Sequence, residues 1–305
     1  MREFHCRNLG RPFESIPDTE DDHRARRITA YLNLLNGIVE NNVTRVRESI
    51  AERRDEAKKY LEMLPDRSAL KQKFDQLSTN HDFHKAWDWL RDHLQPGKID
   101  VNIMTKLDKV NYRAGKQLPR EYADAHAALR GFARSDLESS VVLSAGMNPR
   151  LYGYMEEFAD FYPDNSGHLK KQITLKVSDY RSALIQGKFL AKKGLWVSEY
   201  RIESGLNCGG HAFATDGDLM GPILEKFDIN REALVGTVHK TYCKALEKKG
   251  YPVPDQQPKR VKFSVQGGVG TAEEHQFLLE RYNLDSVGWG SPFLLVPEAV
   301  SIDKD

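Results

Sequence analysis

Residues 261–290 read VKFSVQGGVGTAEEHQFLLERYNLDSVGWG, in the order strand, glycine pair, helix, strand. The run VKFSV is branched and apolar enough for a buried strand. Gly267 and Gly268 follow at once, and glycines allow a sharp turn and a close backbone approach to a ligand. Thr271 then opens a helix with Glu273 and Glu274 in its first turn, where acids complement the helix dipole. The next strand leads into GWGSPF, which puts Gly290 and Ser291 at an equivalent strand tip. A helix start offers free N–H groups that suit a phosphate. In (β/α)8 barrels the loops after the last two strands commonly form a phosphate site. Either motif by itself is equally well a tight turn, but two in tandem favour phosphate binding.

The same alternation extends upstream. IDVNIM (99–104) precedes a helix around 120–132, and SVVLSAG (140–146) precedes one over 149–161. QITLKV (172–177) precedes a helix over 178–193 that starts at Ser178 and Asp179. LWVSEY (195–200) leads into a glycine-rich loop and then two helices, near 218–227 and 231–249. With VKFSVQGG (261–268), its helix over 271–282 and DSVGWG (285–290), this makes six buried, branched strands alternating with helices. That pattern predicts a parallel β/α architecture.

The character changes at Pro96–Gly97. Residues 19–94 are polar and charged, with apolar residues at helical spacing such as Ile28, Tyr31, Leu32 and Leu35. Breaks fall at Pro65 and at 78–80. No strand is expected between Ile16 and Pro96, and Phe83, Trp87 and Trp89 read as a helix-packing cluster. The expected organisation is a helical segment over 1–96 and a barrel portion over 97–305.

The bulk numbers narrow the function. Lys plus Arg is 45 and Asp plus Glu is 44, a net charge of +1. That balance gives no global attraction to nucleic acid or to an anionic membrane surface. No apolar run approaches the roughly 18 residues of a membrane span, and the N-terminus lacks a secretory core. Three distant cysteines give neither a disulfide framework nor a zinc site. Asp100, Asp108 and Asp179 show no metal-ligand spacing. The expectation is a cytoplasmic protein acting on a small molecule, without nucleic acid, membrane or metal.

The loop ESGLNCGGHAFATDG (203–217) carries the candidate chemistry. Gly205, Gly209, Gly210 and Gly217 are costly there unless the backbone must bend or approach something. His211 follows a strand tip, where barrel enzymes place catalytic groups, and a histidine side chain can act as a general base.

Four stretches resemble, in order, the nitronate monooxygenase family, which also holds flavin-dependent enoyl-acyl-carrier-protein reductases. IDVNIM is similar to its Val-Asn strand, and SVVLSAGMNP to its strand ending in Ala-Gly before a proline. The run from Ile173 to the Gly-Gly-His at 209–211 resembles its core, and VQGGVGTAEEHQFLLERYNLDSVGWGSPFLLVPEA its closing segment. The similarity covers roughly residues 97–300. It implies a (β/α)8 barrel and an FMN cofactor, with Gly267, Gly268, Gly290 and Ser291 at the phosphate. Asn102, Ala145 and Gly146 would line the flavin, with Gly209 and Gly210 beside it and His211 as catalytic base or polarising group. The implied activity is FMN-dependent oxidation of a nitronate-like substrate, or NAD(P)H-dependent reduction of an enoyl thioester in lipid or polyketide-type synthesis.

The chain departs from the family in two places. Cys208 replaces a small residue and is expected to be packed rather than redox-active. The family's two opening strands are not found before Gly97, and residues 1–96 resemble an insertion present in some relatives after the second strand. The expected fold is therefore a TIM-type barrel lacking its first two strands. The chain then reads as a fragment, an internal start, or one whose opening strands are supplied otherwise. Open parallel edges tend to pair, so a non-catalytic subunit, as a homo-oligomer or beside a partner, is the alternative. Pairing of residues 1–15 as a strand would discriminate between these.

Overall fold

The computed structural model describes residues 1–51, 55–66, 68–79, 83–105, 108–204, 218–254 and 259–290. The chain divides into two compact units, one made of Met1–Ser15 and Thr29–Ile99, the other of Ile16–Ile28 and Asp100–Asp305.

The first unit is helical. Its elements are α1 (Arg2–Asn8), α2 (His23–Ala51, from Thr29 on), α3 (Asp55–Met63), α4 (Ala69–Thr79) and α5 (Phe83–His93). Apolar residues at intervals of three and four meet in one cluster around Ile50, Ala57, Leu61, Phe74, Ala86 and Leu90. A fully buried leucine such as Leu90 contributes about 1.5–3 kcal/mol. Trp87 and Trp89 pack on this cluster, with Trp87 edge-on to Phe74 at 4.7 Å. Phe83 does not join them and is 59% exposed. Residues 1–15 hold α1 and no strand.

The second unit carries a curled sheet of six parallel strands, a half-barrel. In chain order its elements are β1 (Val101–Ile103), a small antiparallel hairpin of β2 (Tyr112–Arg113) and β3 (Lys116–Gln117), and α6 (Asp124–Ala133). Then come β4 (Ser139–Leu143), α7 (Pro149–Tyr154), β5 (Lys171–Val177), α8 (Tyr180–Lys192) and β6 (Val197–Ile202). α9 (Met220–Lys249), β7 (Lys262–Gln266), α10 (Ala272–Arg281) and β8 (Ser286–Gly288) complete the series. The sheet order is β1-β4-β5-β6-β7-β8, so each strand lies beside the next. Among the described residues the parallel sheet thus holds six strands, with β2 and β3 apart from it. Among the same residues no helix is long and apolar enough to cross a membrane.

The expected break inside residues 218–249 is absent, and α9 runs unbroken for 30 residues. Pro222 falls in its first turn, where no amide partner is required. Phe227, Leu234, Val238, Tyr242 and Leu246 then keep one buried stripe across Asp228–Ile229–Asn230.

The strands are not apolar throughout. Leu143, Leu175, Tyr200 and Phe263 share one face by register, and it packs on α8 and α9, for example Phe263 against Phe227 at 6.3 Å. Alternation sends Thr174, Lys176, Glu199, Arg201 and Ser264 to the other face. Between Ile173 and Thr174 the β5–β6 register shifts past Ser198, which sets Glu199 beside Thr174 and Arg201 beside Lys176.

Candidate functional site

All six strands of a parallel sheet end on the same side, where β/α enzymes collect their functional loops. At the tip of β7 the chain turns through Gly267 (φ 86°) and Gly268 (φ 71°). Both angles lie in the left-handed region that side chains rarely adopt. The Gly267 amide donates to the Gly288 carbonyl at 3.0 Å, which ties this turn to the end of β8. α10 follows with a complete capping box. Thr271 Oγ1 accepts from the Glu274 amide, and Glu274 Oε2 accepts from the amides of Gly270 (2.8 Å) and Thr271 (3.1 Å). Two N–H groups expected to meet a phosphate therefore already hold a carboxylate. The amides of Gly268 and Val269 donate to no described residue.

Among the other expected cofactor positions that are described, Ala145, Gly146 and Gly290 follow the ends of β4 and β8, and Asn102 lies within β1. Gly290 is exposed, and a Cβ there would meet nothing within 4 Å, so its backbone is not crowded. Trp289 Nε1 donates to His275 Nδ1 at 2.8 Å and pins the end of β8 to α10. Asn102 is exposed on β1, in register with Val142. At the tip of β4 the Ala145 carbonyl accepts from Gln186 Nε2 (3.0 Å), and the Gly146 carbonyl accepts from Ser144 Oγ (2.9 Å). Gln186 is buried and also accepts from the Tyr152 hydroxyl at 2.8 Å, so a packed side chain of α8 fixes this tip. His211, Gly209, Gly210, Cys208 and Ser291 lie outside the described residues. The chain on either side of 205–217 is held together, because Ser204 Oγ donates to the Asp218 carbonyl at 2.8 Å.

The polar face of the sheet is a set of satisfied charges that the strand patterns alone had marked as branched and buried. Glu199 Oε1 accepts from Ser264 Oγ (2.5 Å) and from Arg201 Nε (3.0 Å). Lys176 Nζ lies 2.6 Å from Glu203 Oε2, with both side chains nearly buried. The adjacent cations Lys176 and Arg201 thus each take a different carboxylate. Such pairing is what keeps nearly buried charge tolerable.

A second constellation escaped the sequence reading. Beyond β1 and β4, at the same end of the sheet, a cavity of about 570 Å³ opens between Asp108, Arg120, His126, Asn148 and Arg150. Asp108 holds the His126 ring through Nδ1 and accepts from the amides of Ala125 (2.7 Å) and His126 (3.1 Å). Asp100 and Asp179 serve backbone amides too, those of Ser140 and Ser182. No spacing motif joins these residues, because they converge only through the loops after two neighbouring strands. No family model matches the chain, and no curated protein is found similar to it.

Proposed function

We propose that the chain is an FMN-dependent oxidoreductase of the nitronate monooxygenase type, built on a β/α barrel to which the six described strands belong. The observation that supports this reading best is the Gly267–Gly268 turn. It lies at the tip of β7, directly before a capped helix, at the end of the sheet that also carries Ala145 and Gly146. The free amides of Gly268 and Val269 suit a phosphate there. Glu274 confines the fit to those two groups, since its carboxylate sits on the next two amides. Bound FMN would supply a two-electron redox centre at the rim. The chain's part is to hold the phosphate at β7, to keep the β4 tip rigid through Gln186, and to offer a polar floor from Lys176–Glu203 and Glu199–Arg201. His211 is the proposed proton-transfer residue on the strength of its sequence setting.

The test is FMN titration of the purified protein, followed by flavin fluorescence and extraction. Saturable uptake supports the reading, and a folded protein that takes up no FMN sinks it. Turnover of a nitronate with oxygen, against NAD(P)H-dependent reduction of an enoyl thioester, then separates the two activities.

A second reading is favoured by one observation. Residues 1–15 hold only the helix α1 and pair with no strand, so within the described residues β1 is an edge of the sheet. Parallel edges recruit partners, which suits a non-catalytic subunit working in a homo-oligomer or beside another chain. Mass in solution, measured with and without FMN, distinguishes it.

A further inference from the structure

The cavity beyond β1 and β4 carries an excess of unpaired positive charge. Arg120 and Arg150 both line it, and neither guanidinium makes an ion pair or hydrogen bond with a described residue. The contrast with their neighbours is sharp. Arg130 and Arg134 are bound to Asp22, and Arg130 also donates to the Tyr154 hydroxyl at 2.9 Å. Asp108 is the only carboxylate among the described residues lining the cavity, and it is fully engaged by His126 and two amides. No anion within the described wall answers the two guanidinium groups.

His126 adds a polar group of a different kind, a donor to a ligand when its ring is protonated. Its side chain is 4% exposed, and the ring lies against Tyr154 at 4.9 Å. Because Asp108 takes Nδ1, the ring is held with Nε2 as its remaining polar atom. Nε2 has no partner among the described residues, although His126 lines the cavity. Val110, Leu118, Pro119 and Pro149 supply an apolar wall. The volume lies within the range of small-molecule sites, roughly 300–1,000 Å³.

We propose that this cavity binds a small molecule carrying a phosphate monoester on an apolar body. Two forked guanidiniums suit the several oxygens of a dianion, and charge-assisted hydrogen bonds to it are about twice as strong as neutral ones. A buried histidine oriented by a carboxylate completes the recognition, and the proline and aliphatic wall receives the rest of the molecule. The site uses loops after β1 and β4, whereas the proposed flavin phosphate lies at β7, so the inference stands independently of the flavin reading.

The test uses phenyl phosphate as probe in isothermal calorimetry on the full chain, with Arg120→Ala/Arg150→Ala as the variant. Both arginines are exposed and unpaired, so the variant should melt like the wild type. Binding by the wild type that weakens at least about tenfold in the variant, or 1.4 kcal/mol, is the expected result. No binding at millimolar probe, an affinity unchanged by the double substitution, or benzoate binding as tightly as phenyl phosphate would each overturn the proposal. FMN uptake should be unchanged in this variant. Uptake lost here but retained in Gly268→Asp would move the flavin phosphate into this cavity and overturn both assignments.

Discussion

Asp108 accepts two hydrogen bonds from His126, one from its amide and one from its ring, and a third from the amide of Ala125. One side chain therefore caps α6 and fixes the orientation of a buried imidazole. Burial acts to raise the Asp108 pKa, but the hydrogen bonds from Ala125 and His126 outweigh it and hold the carboxyl below its usual range. A group lowered on folding contributes stability above its unfolded pKa and loses it as pH falls through the folded value. Asp108→Asn keeps the shape and removes the charge. It should lower unfolding free energy by about 1–3 kcal/mol at neutral pH, and the gap to wild type should close as pH falls below about 4. Urea unfolding across a pH series measures this. A gap that persists unchanged into acid would show that the charge plays no part.

Gly187 sits in α8 where an added Cβ would run into the Tyr200 hydroxyl and come within 3.1 Å of Val238. Tyr200 is buried, and its hydroxyl has no hydrogen-bond partner in the described structure. Gly187→Ala gains up to about 1 kcal/mol of helix propensity but overpacks the α8–β6 contact, at about 1–3 kcal/mol. A net loss of stability is expected. In a Tyr200→Phe background the clash is relieved, so the same substitution should become neutral or stabilising. Equal effects in both backgrounds, read from a double-mutant cycle of unfolding free energies, would locate the strain elsewhere.

Lys171 opens β5 with its ammonium buried over Phe132 at 4.6 Å. It donates to the Ser135 carbonyl (2.9 Å), the Ser135 hydroxyl (3.1 Å) and the Leu137 carbonyl. Burial pushes its pKa down to about 8 from 10.5. Between those values the unfolded chain holds a proton that the folded chain has released, so this group makes stability rise with pH across that window. Lys171→Met leaves two buried carbonyls without this donor and should destabilise by about 1–3 kcal/mol at neutral pH. It should also remove the rise on the alkaline side. Chemical unfolding of both proteins at successive pH values decides it, and parallel curves would reject the assignment.

What was legible in the sequence was local. VKFSVQGG followed by TAEE contains a strand, its turn and a capping box within fourteen consecutive residues, and each is formed as the residue types require. The helix starting at Asp179 follows the same logic. The polar face was less visible. Lys176 in QITLKV and Glu199 in LWVSEY look like interruptions of apolar strands until the β5–β6 register brings them to one side. The Asp108–His126 pair spans 18 positions of loop and helix, and Arg120 and Arg150 belong to different β/α units. Their convergence is a property of the sheet order, which no local spacing encodes. The Asp228–Ile229–Asn230 stretch misled for the converse reason. Its residues favour a break locally, but buried neighbours on both sides carry the helix through.

Gly268→Asp tests the cofactor reading at its best-supported point. The native φ of 71° is one that aspartate tolerates better than most residues. The variant should therefore fold, at a strain of about 1 kcal/mol. It places a carboxylate beside the two amides that Glu274 leaves free, where it would repel a phosphate and take its donors. FMN affinity should fall at least about a hundredfold, or 2.7 kcal/mol. Gly236→Ala on α9, outside the proposed site, is the matched control, since a Cβ there enters open space, and its FMN affinity should equal that of wild type. Fluorescence titration of FMN into the three proteins, each confirmed as folded by its thermal melt, reads the comparison. If Gly268→Asp takes up FMN as the wild type does, the phosphate is held elsewhere and the β7 turn is only a tight connection between a strand and a capped helix.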